Sequence, residues 1–208
     1  GTLNLLDAIL AVGLQPLKVL VASSANVYGN PSVEVIDETV CPAPVNHYAN
    51  SKLAMEHMAR TYDDRLPLVI TRPFNYTGAG QAEHFLIPKI VAHYRARRPI
   101  IELGNLDVVR DFSAVAFVVN AYQKLLECPD TDVTVNICSG RGTALGEIIA
   151  FMNGIAGYAI DVTVNPAFVR TNEIRRLIGS NHKLFSLIGE QPIPGIRDLL
   201  AEMYRAPA

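Results

Sequence analysis

The chain has 208 residues, half of them apolar and 18% charged, with 18 Lys and Arg against 20 Asp and Glu for a net charge of −2. A chain of that length can bury roughly 70% of the surface its unfolded form exposes, and its composition excludes a disordered segment, a collagen-like repeat and a heptad rod. No surplus of positive charge is present to neutralise a phosphate backbone, and Arg95, Arg97 and Arg98 form the only basic run, so no nucleic-acid or membrane partner is expected.

The chain opens on Gly1-Thr2 and passes directly into the apolar spacing of Leu3, Leu6, Ile9 and Leu10, which predicts a helix to Val12 ended by Gly13. An opening already inside a helical period is what a chain preceded by further sequence would show. Val19-Leu20-Val21-Ala22 predicts a strand buried on both faces. A loop rich in Pro and Asn runs to about His47, followed by a helix from Ser51 to about Asp63 and a strand Leu68–Thr71 stopped by Pro73. This αβαβ alternation predicts a parallel sheet with helices on its faces. Shorter pieces follow: a helix from Pro88 to Arg97, strands at Ile100–Leu103 and Val108–Phe112, a helix at Ala116–Glu127 and a strand Val133–Cys138. Helices at Leu145–Ile155 and Gly195–Tyr204 bracket an alternating stretch, Ala159–Val164.

Cys41, Cys128 and Cys138 are odd in number and widely spaced, so neither a disulfide frame nor a zinc knuckle is expected, and a reducing, cytoplasmic setting follows. No apolar run approaches the length that a membrane helix needs. The five His residues show no metal-ligand spacing, so no metal site is expected.

Two short motifs bear polar groups where chemistry needs them. Ser23-Ser24-Ala25-Asn26-Val27-Tyr28-Gly29 follows a buried strand, at the carboxyl end where open α/β sheets bind ligands. Tyr48 and Lys52 are four residues apart, which on a helix puts phenol and ammonium on one face. A Lys cation beside a phenol favours phenolate, so such a Tyr can exchange a proton with an alcohol or a carbonyl.

Together with Arg72-Pro73-Phe74-Asn75, these motifs resemble the extended short-chain dehydrogenase/reductases that act on nucleotide sugars, over essentially the whole chain. The resemblance implies Ser24, Tyr48 and Lys52 as the catalytic set, with Ala22, Ser23, Tyr48, Lys52, Pro73 and Asn75 at an NAD or NADP cofactor. Gly104-Asn105-Leu106-Asp107, Arg110-Asp111-Phe112 and the stretch from Arg170 through Glu173 to Gly179 resemble its GDP-mannose branch. Substrate contacts to a GDP-sugar are then implied for Ser24, Asn26, Asn75, Lys89, Leu103, Gly104, Asn105, Arg110, Arg170 and Glu173. The Arg and Lys suit a diphosphate, and the carboxylate suits a sugar diol or a guanine edge.

The branch contains 4,6-dehydratases and GDP-4-keto-6-deoxymannose reductases. In the dehydratases, acidic residues of the Ser-to-Gly segment take the proton and expel water; the corresponding positions here are Ala25 and Asn26, and neither supplies a carboxylate. The expected reaction is therefore NAD(P)H-dependent reduction at C4 to GDP-D-rhamnose, with 4-epimerisation and, behind it, dehydration as alternatives. A catalytically incompetent sugar-nucleotide-binding fragment is the non-enzymatic alternative. It arises because the family's Gly-rich dinucleotide turn is not in this sequence; Gly140 to Gly146 follows a strand, but with the wrong spacing.

The expected fold is α/β: a Rossmann-like doubly wound parallel sheet, N-terminally incomplete, with a small C-terminal substrate lobe. Residues 1–80 would belong to the dinucleotide domain and 81–208 mainly to the lobe, with some segments returning to the sheet. Apolar positions on more than one side of the first helix (Leu3, Leu5, Leu6, Ile9, Leu10, Val12) and of the second (Leu53, Met55, Met58, Ala59, Tyr62) add the expectation of a homodimer.

Overall fold

In the computed structural model, which describes residues 1–169 and 174–207, helix α1 (Thr2–Ala11) leads into strand β1 (Val19–Ala22) and a short 3₁₀ segment, Ala25–Tyr28. Helix α2 (His47–Arg60) and strand β2 (Leu68–Pro73) follow. The α2 helix begins four residues before the expected Ser51, because Asn46 caps it: its side-chain oxygen accepts from the Ala49 N–H at 2.8 Å.

Strand β3 (Asn75–Thr77), helix α3 (Leu86–Arg95), strands β4 (Ile100–Leu103) and β5 (Val109–Ala114), and helix α4 (Val115–Glu127) come next. The chain continues through β6 (Val133–Ile137), β7 (Gly142–Ala144), α5 (Leu145–Ala156), β8 (Asp161–Val164), β9 (Arg176–Leu177), α6 (His182–Ile188) and α7 (Ile196–Arg205). Among the described residues no helix is long and apolar enough to cross a membrane.

The strands β1, β2 and β6 form a parallel sheet in that order, with Ala22 opposite Thr71 and Thr71 opposite Val135. Side chains alternate across it. Val21, Leu68 and Ile70 pack with Leu6, Ala59, Tyr62 and Leu66 under α1 and α2. Val69, Val135 and Ile137 turn the other way, toward Val118, Ala121 and Leu125 of α4. The β1 strand packs on both faces, Val19 and Val21 toward α1 and α2 and Leu20 toward the α4 side, with Val21 the most deeply buried of them.

Around β5 the chain builds a second, mixed sheet: β3 and β9 pair with it in parallel and β7 antiparallel. Gly142 thus lies in an antiparallel strand, and the glycines from Gly140 to Gly146 do not form a turn opening directly into a helix. A parallel ribbon of β4 and β8 is backed by α3, α5 and α7, whose Ile90, Tyr94, Ile148, Met152 and Leu200 share one core with the α4 side of the first sheet. The elements with no advance signal were β3, β7, β9 and α6, each of seven residues or fewer.

Candidate active site

The polar segment after β1 is held tightly. Ser24 caps the 3₁₀ turn, its Oγ accepting from the Asn26 N–H at 3.2 Å, while Ala25 and Val27 sink into a small core with Tyr28, Ile36 and Phe74. Ala25 therefore faces the core, while Asn26 is partly open. Gly29 ends the turn at φ +67°, and a Cβ there would overlap the carbonyl of Ala43.

Helix α2 brings Tyr48 and Lys52 to the carboxyl end of β1. Lys52 Nζ donates to the Ala22 carbonyl at 2.8 Å and stands 5.9 Å from the centre of the Tyr48 ring. Tyr48 is half exposed, at 52%, so its phenol is open to a ligand. Ser23 is buried, with its N–H on the Thr71 carbonyl and its Oγ without a hydrogen-bond partner. Pro73, buried, closes β2, and Asn75 donates weakly to the Asp111 carbonyl at 3.4 Å. Thus Ala22, Ser23, Ser24, Asn26, Tyr48, Lys52, Pro73 and Asn75 gather about the carboxyl ends of β1 and β2.

The other expected substrate residues lie elsewhere. Lys89 Nζ donates to the Glu102 carbonyl at 2.8 Å and sits 4.5 Å over the ring of Phe168. Gly104 runs so close to the Phe168 carbonyl that a Cβ would come within 2.8 Å of it. The side chain of Leu103 is in the core and its carbonyl accepts from the Asn165 N–H, so neither is open to a ligand. The Asn105 side-chain oxygen accepts from the Asp107 N–H at 3.0 Å, and the residue is partly exposed. Arg110, on β5, donates to the Val109 carbonyl at 3.0 Å. Arg170 and Glu173 lie outside the described residues.

Beneath the site lies a buried polar chain that the motifs did not announce. Arg72 reaches Glu56 with a two-pronged bond, Nε to Oε1 at 3.0 Å and Nη2 to Oε2 at 2.6 Å. Burial works against the Arg72 charge, but the bonds to Glu56 and the interaction with Tyr28 together outweigh it and raise the guanidinium pKa. The guanidinium lies 4.8 Å over the Tyr28 ring, and the Tyr28 hydroxyl donates to Asn136 Oδ1 at 2.7 Å. Burial pushes the Tyr28 phenol up to about 12, so it stays a neutral donor. Glu56 continues the four-residue spacing from Tyr48 through Lys52, and that periodicity was the available signal. Asp111 plays a similar part below β5. It accepts from the N–H groups of Ser139, Gly140 and Gly179 and from the Ser139 hydroxyl, and burial raises its carboxyl pKa against those bonds.

Known proteins resemble the chain along nearly all of its length. The family model described as GDP-mannose 4,6 dehydratase matches residues 1–203. The chain is 36% identical to a GDP-6-deoxy-D-talose 4-dehydrogenase of Aggregatibacter actinomycetemcomitans, over 99% of this chain and 70% of the relative. It is 34% identical to a GDP-6-deoxy-D-mannose reductase of Pseudomonas aeruginosa, over 92% of this chain and 66% of the relative. Among solved structures, a Burkholderia cenocepacia protein provisionally described as an epimerase superposes with a TM-score of 0.94 at 53% identity, covering 98% of this chain and 67% of its own. RMD from Pseudomonas aeruginosa, solved with NADPH, superposes at 0.88 with 31% identity, covering 98% of this chain and 70% of its own. The chain spans about two thirds of the length of these proteins. With its Rossmann-like parallel sheet, its Ser24, Tyr48 and Lys52 at one strand end, and a family match along nearly all its length, the chain belongs to the GDP-mannose 4,6-dehydratase family.

Proposed function

We propose that the whole protein reduces the 4-keto group of GDP-4-keto-6-deoxy-D-mannose with NAD(P)H, giving GDP-D-rhamnose. The observation that carries this reading is the pairing of a Lys52-flanked, open Tyr48 with a Ser24–Gly29 segment that holds no carboxylate. Proton exchange with a carbonyl oxygen is available; elimination of water is not. The similarity to a GDP-6-deoxy-D-mannose reductase supports the same choice.

The residues fit a nicotinamide nucleotide. Lys52 spends one of its three N–H donors on Ala22, so two remain for a ribose diol, and Ser23 keeps a buried hydroxyl without a partner. When bound, the nicotinamide supplies the hydride for C4. Tyr48 gives its proton to the carbonyl oxygen as that oxygen becomes an alcohol. Ser24 orients the oxygen, its Oγ being fixed by the Asn26 N–H. Lys52 stabilises the phenolate left on Tyr48. Lys89 and Arg110, with Arg170 and Glu173, are proposed contacts for the GDP-sugar; residues 1–80 are proposed for the dinucleotide domain and 81–208 mainly for the substrate lobe.

GDP-mannose incubated with the whole protein and NAD(P) should remain unchanged, while the 4-keto-6-deoxy sugar should be consumed with NAD(P)H. Formation of a 4-keto-6-deoxy product from GDP-mannose would overturn the reductase reading. A 4-epimerase is the second reading, favoured by the provisional description of the 53% identical structure and by the fact that epimerisation needs no further acid.

The α1 and α2 face is proposed as a homodimer interface. Leu5 and Val12 on or just after α1 are 59% and 70% exposed, Met58 on α2 is 41% exposed, and such apolar area is usually covered. The α2 contribution is smaller than the sequence pattern implies, because Ala59 and Tyr62 are buried against the sheet. Light scattering of the whole protein at micromolar concentration should give twice the monomer mass; a monomer would refute this interface.

A further inference from the structure

We propose that Glu56 and Arg72 are positioning residues, whose buried ion pair sets the rotation and height of α2 so that Lys52 meets the Ala22 carbonyl beside Tyr48. The inference rests on the reading of Tyr48 as the proton donor. Glu56 stands one helical turn beyond Lys52 and two beyond Tyr48, on the same face of α2. At its far end α2 also reaches the sheet through Arg60, whose Nη2 donates to Thr134 Oγ1 of β6 at 2.6 Å, one turn further from Lys52 than Glu56; its other contacts with the sheet, through Met55 and Ala59, are apolar, and contacts of that kind permit sliding and rotation. The forked bond from Arg72 permits neither, since two parallel hydrogen bonds fix both distance and angle.

Its anchor lies next to the contact it controls. Ala22 pairs with Thr71 across the sheet, the Ser23 N–H bonds the Thr71 carbonyl, and Arg72 is the following residue of β2. From Arg72 the chain of contacts runs on to the Tyr28 ring, which closes the turn capped by Ser24, and through the Tyr28 hydroxyl to Asn136 of β6. One buried network therefore joins the helix of Tyr48 and Lys52 to the segment of Ser24. Stability is a poor reason for it: a buried ion pair is often no better than well-packed apolar side chains of similar volume. Geometry is what an apolar replacement would not reproduce.

The double variant Glu56→Met/Arg72→Met separates the two roles. It should fold with a Tm close to that of the unsubstituted protein, yet show kcat for the keto sugar lowered about 10- to 100-fold with KM within threefold, the scale of loss that small misplacements of catalytic groups produce. Its crystal structure should show Lys52 Nζ out of hydrogen-bond reach of the Ala22 carbonyl. A kcat within threefold of the unsubstituted protein, or a retained Lys52–Ala22 bond, overturns the proposal. If the double variant does not fold, Arg72→Lys keeps the charge and removes the fork; it should lower kcat with KM unchanged, and an unchanged kcat overturns the proposal. If the unsubstituted protein fails to turn over the keto sugar, the reductase reading falls, and the Lys52–Ala22 contact in the crystal structure of the foldable variant decides the positioning role alone.

Discussion

Replacing Tyr48 by Phe is expected to lower the kcat of the whole protein by ~10²- to 10⁴-fold, the usual worth of a positioned proton donor. Affinity for the sugar nucleotide should hardly change, because Tyr48 is a half-exposed side chain whose hydroxyl bonds nothing among the described residues, and its contribution appears only as the carbonyl oxygen takes the proton. The fold should be untouched for the same reason. Steady-state kinetics with a thermal-melt control check both halves. A Phe variant retaining more than half of the original rate would mean that the proton comes from another group, and the arrangement of Lys52 over Tyr48 would have no catalytic meaning.

Gly29→Ala is expected to be the most damaging small substitution for folding. The residue ends the Ser24-capped turn at φ +67° and ψ −129°, a conformation that side chains with a Cβ rarely adopt. The added methyl would also meet the carbonyl of Ala43, a backbone atom tied down by the hydrogen bond from the Ala43 N–H to the Val27 carbonyl. Strain of this kind together with a backbone clash should cost about 3 kcal/mol or more. Urea unfolding of the chain carrying the substitution measures it. A loss below about 1 kcal/mol would show that the turn relaxes without penalty.

The long, periodic pieces of the fold were legible. Leu3 to Leu10, Val19 to Ala22 and the α4 stretch fell where the apolar spacing placed them, because each buries a face large enough to impose its own period. Strands of two or three residues escaped, since β3, β7 and β9 owe their conformation to pairing with β5 and carry no period of their own.

At the proposed site, Ser24, Tyr48 and Lys52 stand out in the sequence because the proposed chemistry restricts both their types and their spacing. Leu103 illustrates the opposite case: motif similarity marks a position, and only packing reveals that its side chain is in the core. Glu56 went unread for a third reason. A carboxylate four residues past a lysine looks like an ordinary exposed helix pair, and only the fold shows it turned inward, buried against Arg72.

The central claim, reduction at C4 with proton donation by Tyr48, is tested most directly by isotope transfer. The whole protein is given GDP-4-keto-6-deoxy-D-mannose and NAD(P)H carrying deuterium at the transferable position, and the sugar is analysed by mass spectrometry and NMR. The account predicts one deuterium at C4 for each cofactor oxidised, and formation of that product ~10²- to 10⁴-fold more slowly by the Tyr48→Phe protein. A keto sugar left unreduced, or a C4 alcohol without deuterium, would contradict it.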